Sequence, residues 1–122
     1  MPKGRPPQLF PLFAAAVFER GGAAAGLALT LWALEADRRL LGTFTTNADG
    51  RTDGPILPEA RFAAGAYELV FHVGAWLDAQ DAPGPAPRFL DEVPIRFGMA
   101  ADDHYHVPLL VSPYGYSTYR GS

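Results

Sequence analysis

The segment "GLALTLWALEA", residues 26–36, decides what kind of fold this chain can have. Read with a period of two, Leu27, Leu29 and Leu31 fall on one side and Ala28, Thr30 and Trp32 on the other, as in a half-buried strand. Read by propensity alone, the alanine-rich stretch 23–36 would make a helix just as well. The surroundings favour the strand. Turn formers at Gly21-Gly22, Asn47 to Gly50, Asp53-Gly54-Pro55, Gly65, Pro83 to Pro87 and Pro113 cut the chain into short runs. Those runs are "LFAAAVFE", "GLALTLWALEA", "RLLGTFTT", "AYELVFHV", "EVPIRFG", "HYHVPLLV" and "YGYSTYR". Turn clusters at such spacing suggest an all-β sandwich or barrel. One short helix is expected at "GAWLDAQDA", residues 74–82, with Trp76 and Leu77 packed inward before the proline-rich loop.

At 122 residues the chain is expected to be a single domain over 1–122, with 1–10 as a flexible arm. Hydrophobic residues make up 48%, enough for a core. A net charge of -3 and a pI near 5.5 argue against a nucleic-acid binder, which needs a basic face. The absence of cysteine excludes disulfides, thiolate metal sites and cysteine nucleophiles. Lys3, Arg5, an apolar run and small residues loosely imitate a secretory signal, but Pro11 interrupts the run. Cleavage near Ala25 would also remove the first strand. The expected location is therefore the cytoplasm. No segment is long enough to span a bilayer, so no membrane role is expected.

Three places could carry chemistry. In a strand, His104 and His106 share a face, with Tyr105 opposite. His-x-His is a metal-ligand spacing, but zinc takes three or four protein ligands. Only His72 and scattered carboxylates could complete the set, so no metal is expected. Arg51 follows the turn "TNADG", where it is either a solvated surface residue or a rigidly placed anion fork. Composition does not decide between them. In the tail "SPYGYSTYRGS", Tyr114, Tyr116, Thr118 and Arg120 alternate with Gly115, Ser117 and Tyr119. Tyrosines on such a strand suit a subunit interface.

The stretches "NADGRTD", "YELVFHVG", "FLDEVPIRFG" and "HYHVPLLVSPYGYSTYRGS" closely resemble the 5-hydroxyisourate hydrolase family, the enzymatic relatives of transthyretin. The terminal Tyr119-Arg120-Gly121-Ser122 matches the family's signature, and the resemblance runs from about residue 26 to the end. It implies a transthyretin-like antiparallel β-sandwich of seven to eight strands with one short helix. It further implies homotetramers whose sites lie in a channel at the dimer–dimer interface. By position, Arg51 matches the substrate arginine and His106 the strand histidine. Tyr119, Arg120, Gly121 and Ser122 match the tetrapeptide that closes the site. The implied catalytic set is His106, Arg51 and Ser122. The implied reaction is hydrolysis of 5-hydroxyisourate, a urate oxidation product and small-molecule substrate, without metal or cofactor. The residue types suit it: imidazole can deprotonate a water, while guanidinium and phenol can supply fixed donors to an oxyanion.

One departure stands out. The family opens its first strand with a histidine, and this chain has Ala16 there, or Ala14 in an ungapped alignment. Two functional readings therefore stay open: a 5-hydroxyisourate hydrolase, impaired by the missing imidazole, or a non-catalytic transthyretin-like tetramer that binds small aromatic anions. The intact tail favours the hydrolase. A third reading is that an engineered or altered start to the chain introduced the alanines.

Overall fold

In the computed structural model, which describes residues 12–19, 22–57, 63–100 and 105–121, the segment 26–36 holds a strand and no helix. Strand β3, Ala28–Ala33, buries Leu29, Leu31 and Ala33 and half-exposes Ala28, Thr30 and Trp32. Helix propensity loses because two neighbours satisfy this strand's backbone. It pairs antiparallel with β4, Arg39–Thr45, and with β5, Gly65–His72. Strand β6, Glu92–Met99, extends the sheet beyond β5 in the order β4-β3-β5-β6.

The second sheet is built from β1 (Leu12–Phe18), β2 (Gly22–Ala23), β7 (Tyr105–Ser112) and β8 (Gly115–Thr118), in the order β2-β1-β7-β8. Its central pair β1–β7 is parallel, which an antiparallel reading does not anticipate; every other strand pairing is antiparallel. The two sheets enclose one core, with Leu12, Leu29, Leu31, Leu69, Phe71 and Leu109 all 2% exposed or less. Together they form the transthyretin-like sandwich that the resemblance implies. The helix α1, Val73–Ala79, starts one residue earlier and stops sooner than the sequence suggests. Leu77 is buried, and the Trp76 indole N–H donates to Ala25 O at 2.7 Å, fastening the helix to the β2–β3 turn. The expected arm 1–10, His104 and Ser122 lie outside the described residues.

On the outer face of the β4-β3-β5-β6 sheet, Glu68 is 4% exposed yet fully engaged. Arg38 donates through Nε and Nη2 to Oε1 at 3.1 and 2.8 Å, and Arg96 Nε donates to Oε2 at 3.0 Å. The Arg38 guanidinium also lies 3.7 Å from the Trp32 ring centroid. Burial by itself pushes the Glu68 carboxyl up, but the two arginines outweigh it and hold the group below the ordinary carboxylate range. A depressed folded-state pKa stabilises the fold above the unfolded value and loses that contribution as pH falls toward the folded one. Glu68→Gln is therefore expected to cost about 1–2 kcal/mol at neutral pH, from the lost charged hydrogen bonds. In denaturant titrations the gap between variant and wild type should close as pH falls below about 4. A gap that stays constant from neutral to acid pH would contradict this.

Candidate active site

The parallel register of β1 on β7 sorts the first strand's side chains into two sets. Leu12, Ala14 and Ala16 pair with Tyr105, Val107 and Leu109, and all six belong to the core. Phe13, Ala15 and Val17 pair with His106, Pro108 and Leu110 and share the opposite, outer face of the sheet. Half-buried His106 therefore has Phe13 beside it across the strand pair. Neither alanine that the sequence offers as the histidine-equivalent position shares His106's face. Ala14 and Ala16, at 1% and 0% exposed, point their methyls into the core, because side chains alternate along a strand.

Arg51 reaches the same face from the other side of β1. Its turn is tightly built: Asn47 Oδ1 accepts from the backbone N–H of Asp49 at 2.8 Å and of Arg51 at 3.2 Å. Gly50 takes φ 76°, and its carbonyl accepts from Ala16 N–H at 2.7 Å. A Cβ on Gly50 would sit 2.5 Å from Ala16 O, so both the conformation and the close approach require glycine. Thr52 N–H then donates to Ala14 O at 3.1 Å, and Arg51 forms a bridge with Ala15. Arg51 is thus exposed at its tip but fixed at its root. That favours the anion fork over the solvated surface residue.

Phe13, Ala14, Arg51, Thr52 and His106 line a concavity of about 450 Å³. It combines a guanidinium and an imidazole with an aromatic wall. A second hollow of about 370 Å³ lies further along the sheet, between Phe18, Leu110 and Tyr116. Its lining holds neither imidazole nor guanidinium, which makes the first the candidate site.

The tail divides. Beyond β8 the chain continues alongside β7, and Gly121 bridges to His106, its N–H donating to His106 O at 2.8 Å. Tyr119 and Arg120 instead line a separate hollow of about 190 Å³ with Arg96 and Tyr105, and the Arg120 guanidinium lies 4.3 Å from the Tyr105 ring centroid. Of the residues named from sequence, the concavity brings together His106, Arg51 and Ala14, with Gly121 directly behind His106. It does not take in Tyr119 or Arg120, and Ser122 is outside the described residues. Sequence reading missed Phe13 and Thr52. Phe13 is unremarkable until the β1–β7 register is known, and Thr52 is visible only as Arg51's neighbour. His72 is remote, at the end of β5, 3.6 Å from Glu92. Among the described residues no three His, Cys, Asp or Glu side chains gather as a metal set, and no helix is long and apolar enough to cross a membrane.

The fold is thus a transthyretin-type sandwich in which an imidazole and a guanidinium line one concavity. The model of the HIUase/Transthyretin family matches residues 17–121, and the chain belongs to that family. The match begins after the half of β1 that carries Phe13, Ala14 and Ala16. The chain is 58% identical over 104 residues to 5-hydroxyisourate hydrolase 2 of Rhizobium meliloti, covering 84% of this chain and 87% of that one. It is 59% identical over 103 residues to the 5-hydroxyisourate hydrolase of Mesorhizobium japonicum, covering 84% and 83%. Among solved structures, the 5-hydroxyisourate hydrolase of Klebsiella pneumoniae superposes with a TM-score of 0.73 at 28% identity, covering 93% of this chain and 100% of that one.

Proposed function

We propose that this chain hydrolyses 5-hydroxyisourate, with His106 as general base and Arg51 as the clamp for the anionic ring. The observation that carries the reading is that Arg51 and His106, from distant parts of the sequence, line one concavity. Arg51 binds the electron-rich ring and faces the charge that develops on the carbonyl oxygen. His106 takes a proton from a water, whose oxygen adds to the lactam carbonyl carbon. As the C–N bond breaks, the same proton passes to the departing nitrogen. The net change is one water consumed, with OH on carbon and H on nitrogen. Phe13 keeps one wall apolar, which strengthens the guanidinium's hold on an anion.

On this reading no metal or cofactor takes part, the enzyme works in the cytoplasm, and the unit is a homotetramer with its sites between dimers. The outer face of β1 and β7 supports the assembly. Leu110 is 40% exposed there beside Val17, an apolar strip that a second dimer would cover. Tyr119 and Arg120, which line a separate hollow, reach substrate only if assembly or closure brings them to the concavity.

The test is absorbance decay of 5-hydroxyisourate made freshly from urate by urate oxidase, with and without the protein and with a chelator present. Decay accelerated in proportion to protein and indifferent to the chelator supports the proposal. A spontaneous rate unchanged by protein that nonetheless binds the compound would favour the anion-binding alternative.

A further inference from the structure

We propose that Gly121 is a positioning residue for His106: the absence of a side chain lets the C-terminal segment lie against the imidazole and set its orientation toward Arg51. This rests on the reading of His106 as the base.

Built onto Gly121, a Cβ would lie 2.6 Å from His106 Nδ1 and 3.2 Å from its Cβ and Cγ, the first of these inside the 3.0 Å that real Cβ atoms keep. The backbone itself does not require glycine. Gly26, Gly50, Gly65 and Gly84 have φ values in the left-handed half of the map, whereas Gly121 does not. Its conformation would admit an alanine, so the demand for glycine comes from the histidine ring. The Gly121 N–H also donates to His106 O at 2.8 Å, so the tail grips the residue's backbone and packs on the root of its ring together. The ring held in this way belongs to the residue that lines the concavity with Arg51 and Phe13.

An alanine at 121 must displace the ring, the tail or both by a large fraction of an ångström. Misplacement of a catalytic group on that scale costs up to about 10² in rate. The expected result for Gly121→Ala is a kcat lower by about ten- to a hundredfold, with KM within about threefold because Arg51 is untouched. The His106 imidazole resonances should shift in proton–nitrogen spectra. Gly54→Ala, where a Cβ meets nothing within 4 Å, should behave as wild type.

A melting cycle decides the contact without reference to activity. If Gly121 serves the imidazole, Gly121→Ala lowers the melting temperature in the wild type but not in the His106→Ala background. Equal losses in both backgrounds would overturn the proposal, as would Gly121→Ala with unchanged kcat and unchanged imidazole resonances. If the wild type shows no turnover, the hydrolase reading fails, and the melting cycle still decides whether the glycine is there for the ring.

Discussion

His106→Ala is expected to lower the catalysed decay of 5-hydroxyisourate by about 10² to 10⁴-fold, the span that general acid–base assistance supplies. Among the described residues that line the concavity, His106 is the only one of a side-chain type that serves as a base near neutral pH. The variant should fold. His106 sits on the outer face of β7 and only half-buried, while the core residues flanking it, Tyr105 and Val107, are unchanged. KM should move little, because binding through Arg51 remains, and the loss should fall on kcat. An unchanged decay curve with His106→Ala would remove the imidazole from the mechanism.

The second large effect concerns where a first-strand imidazole belongs. Phe13→His, on the face shared with His106, is expected to raise kcat by about tenfold or more, toward the range that a second acid–base group can reach. Ala16→His is expected to do the opposite. Ala16 is 0% exposed in the core, and its backbone is held on both sides by the Gly50 turn and β7. An imidazole there overpacks the core at a cost of about 1–3 kcal/mol, and more if its nitrogens find no partner. Ala14→His faces the same core and should likewise lower the melting temperature without raising the rate. A gain of activity with Ala16→His and none with Phe13→His would mean that the β1–β7 register is not the one described.

How much of this was legible in the sequence depends on the range of the interaction. Leu27, Leu29 and Leu31 declare a strand by local alternation, and the structure buries all three completely. The "TNADG" turn is equally local: its Asn47 caps and its Gly50 takes positive φ. What Gly50 is pressed against, the Ala16 carbonyl, is a long-range contact that no turn pattern encodes. The parallel β1–β7 pairing joins the two ends of the chain, so Phe13 could not be matched to His106 from sequence. That is why sequence alignment pointed to two alanines whose methyls turn out to face inward. The tail shows both limits together. Its alternation put Arg120 on the face opposite Tyr119, yet β8 ends at Thr118 and both line one hollow, apart from the concavity where resemblance had grouped all four terminal residues.

The pH dependence of kcat/KM for the wild-type chain tests the central claim most directly, because it reports the ionisations of the free enzyme's essential groups. With His106 as the base, kcat/KM should fall with a slope of about one proton as the imidazole protonates. Phe13→His should add a second ionisation to the profile. A profile without that acidic limb, or one whose acidic limb survives intact in the residual activity of His106→Ala, would contradict the account.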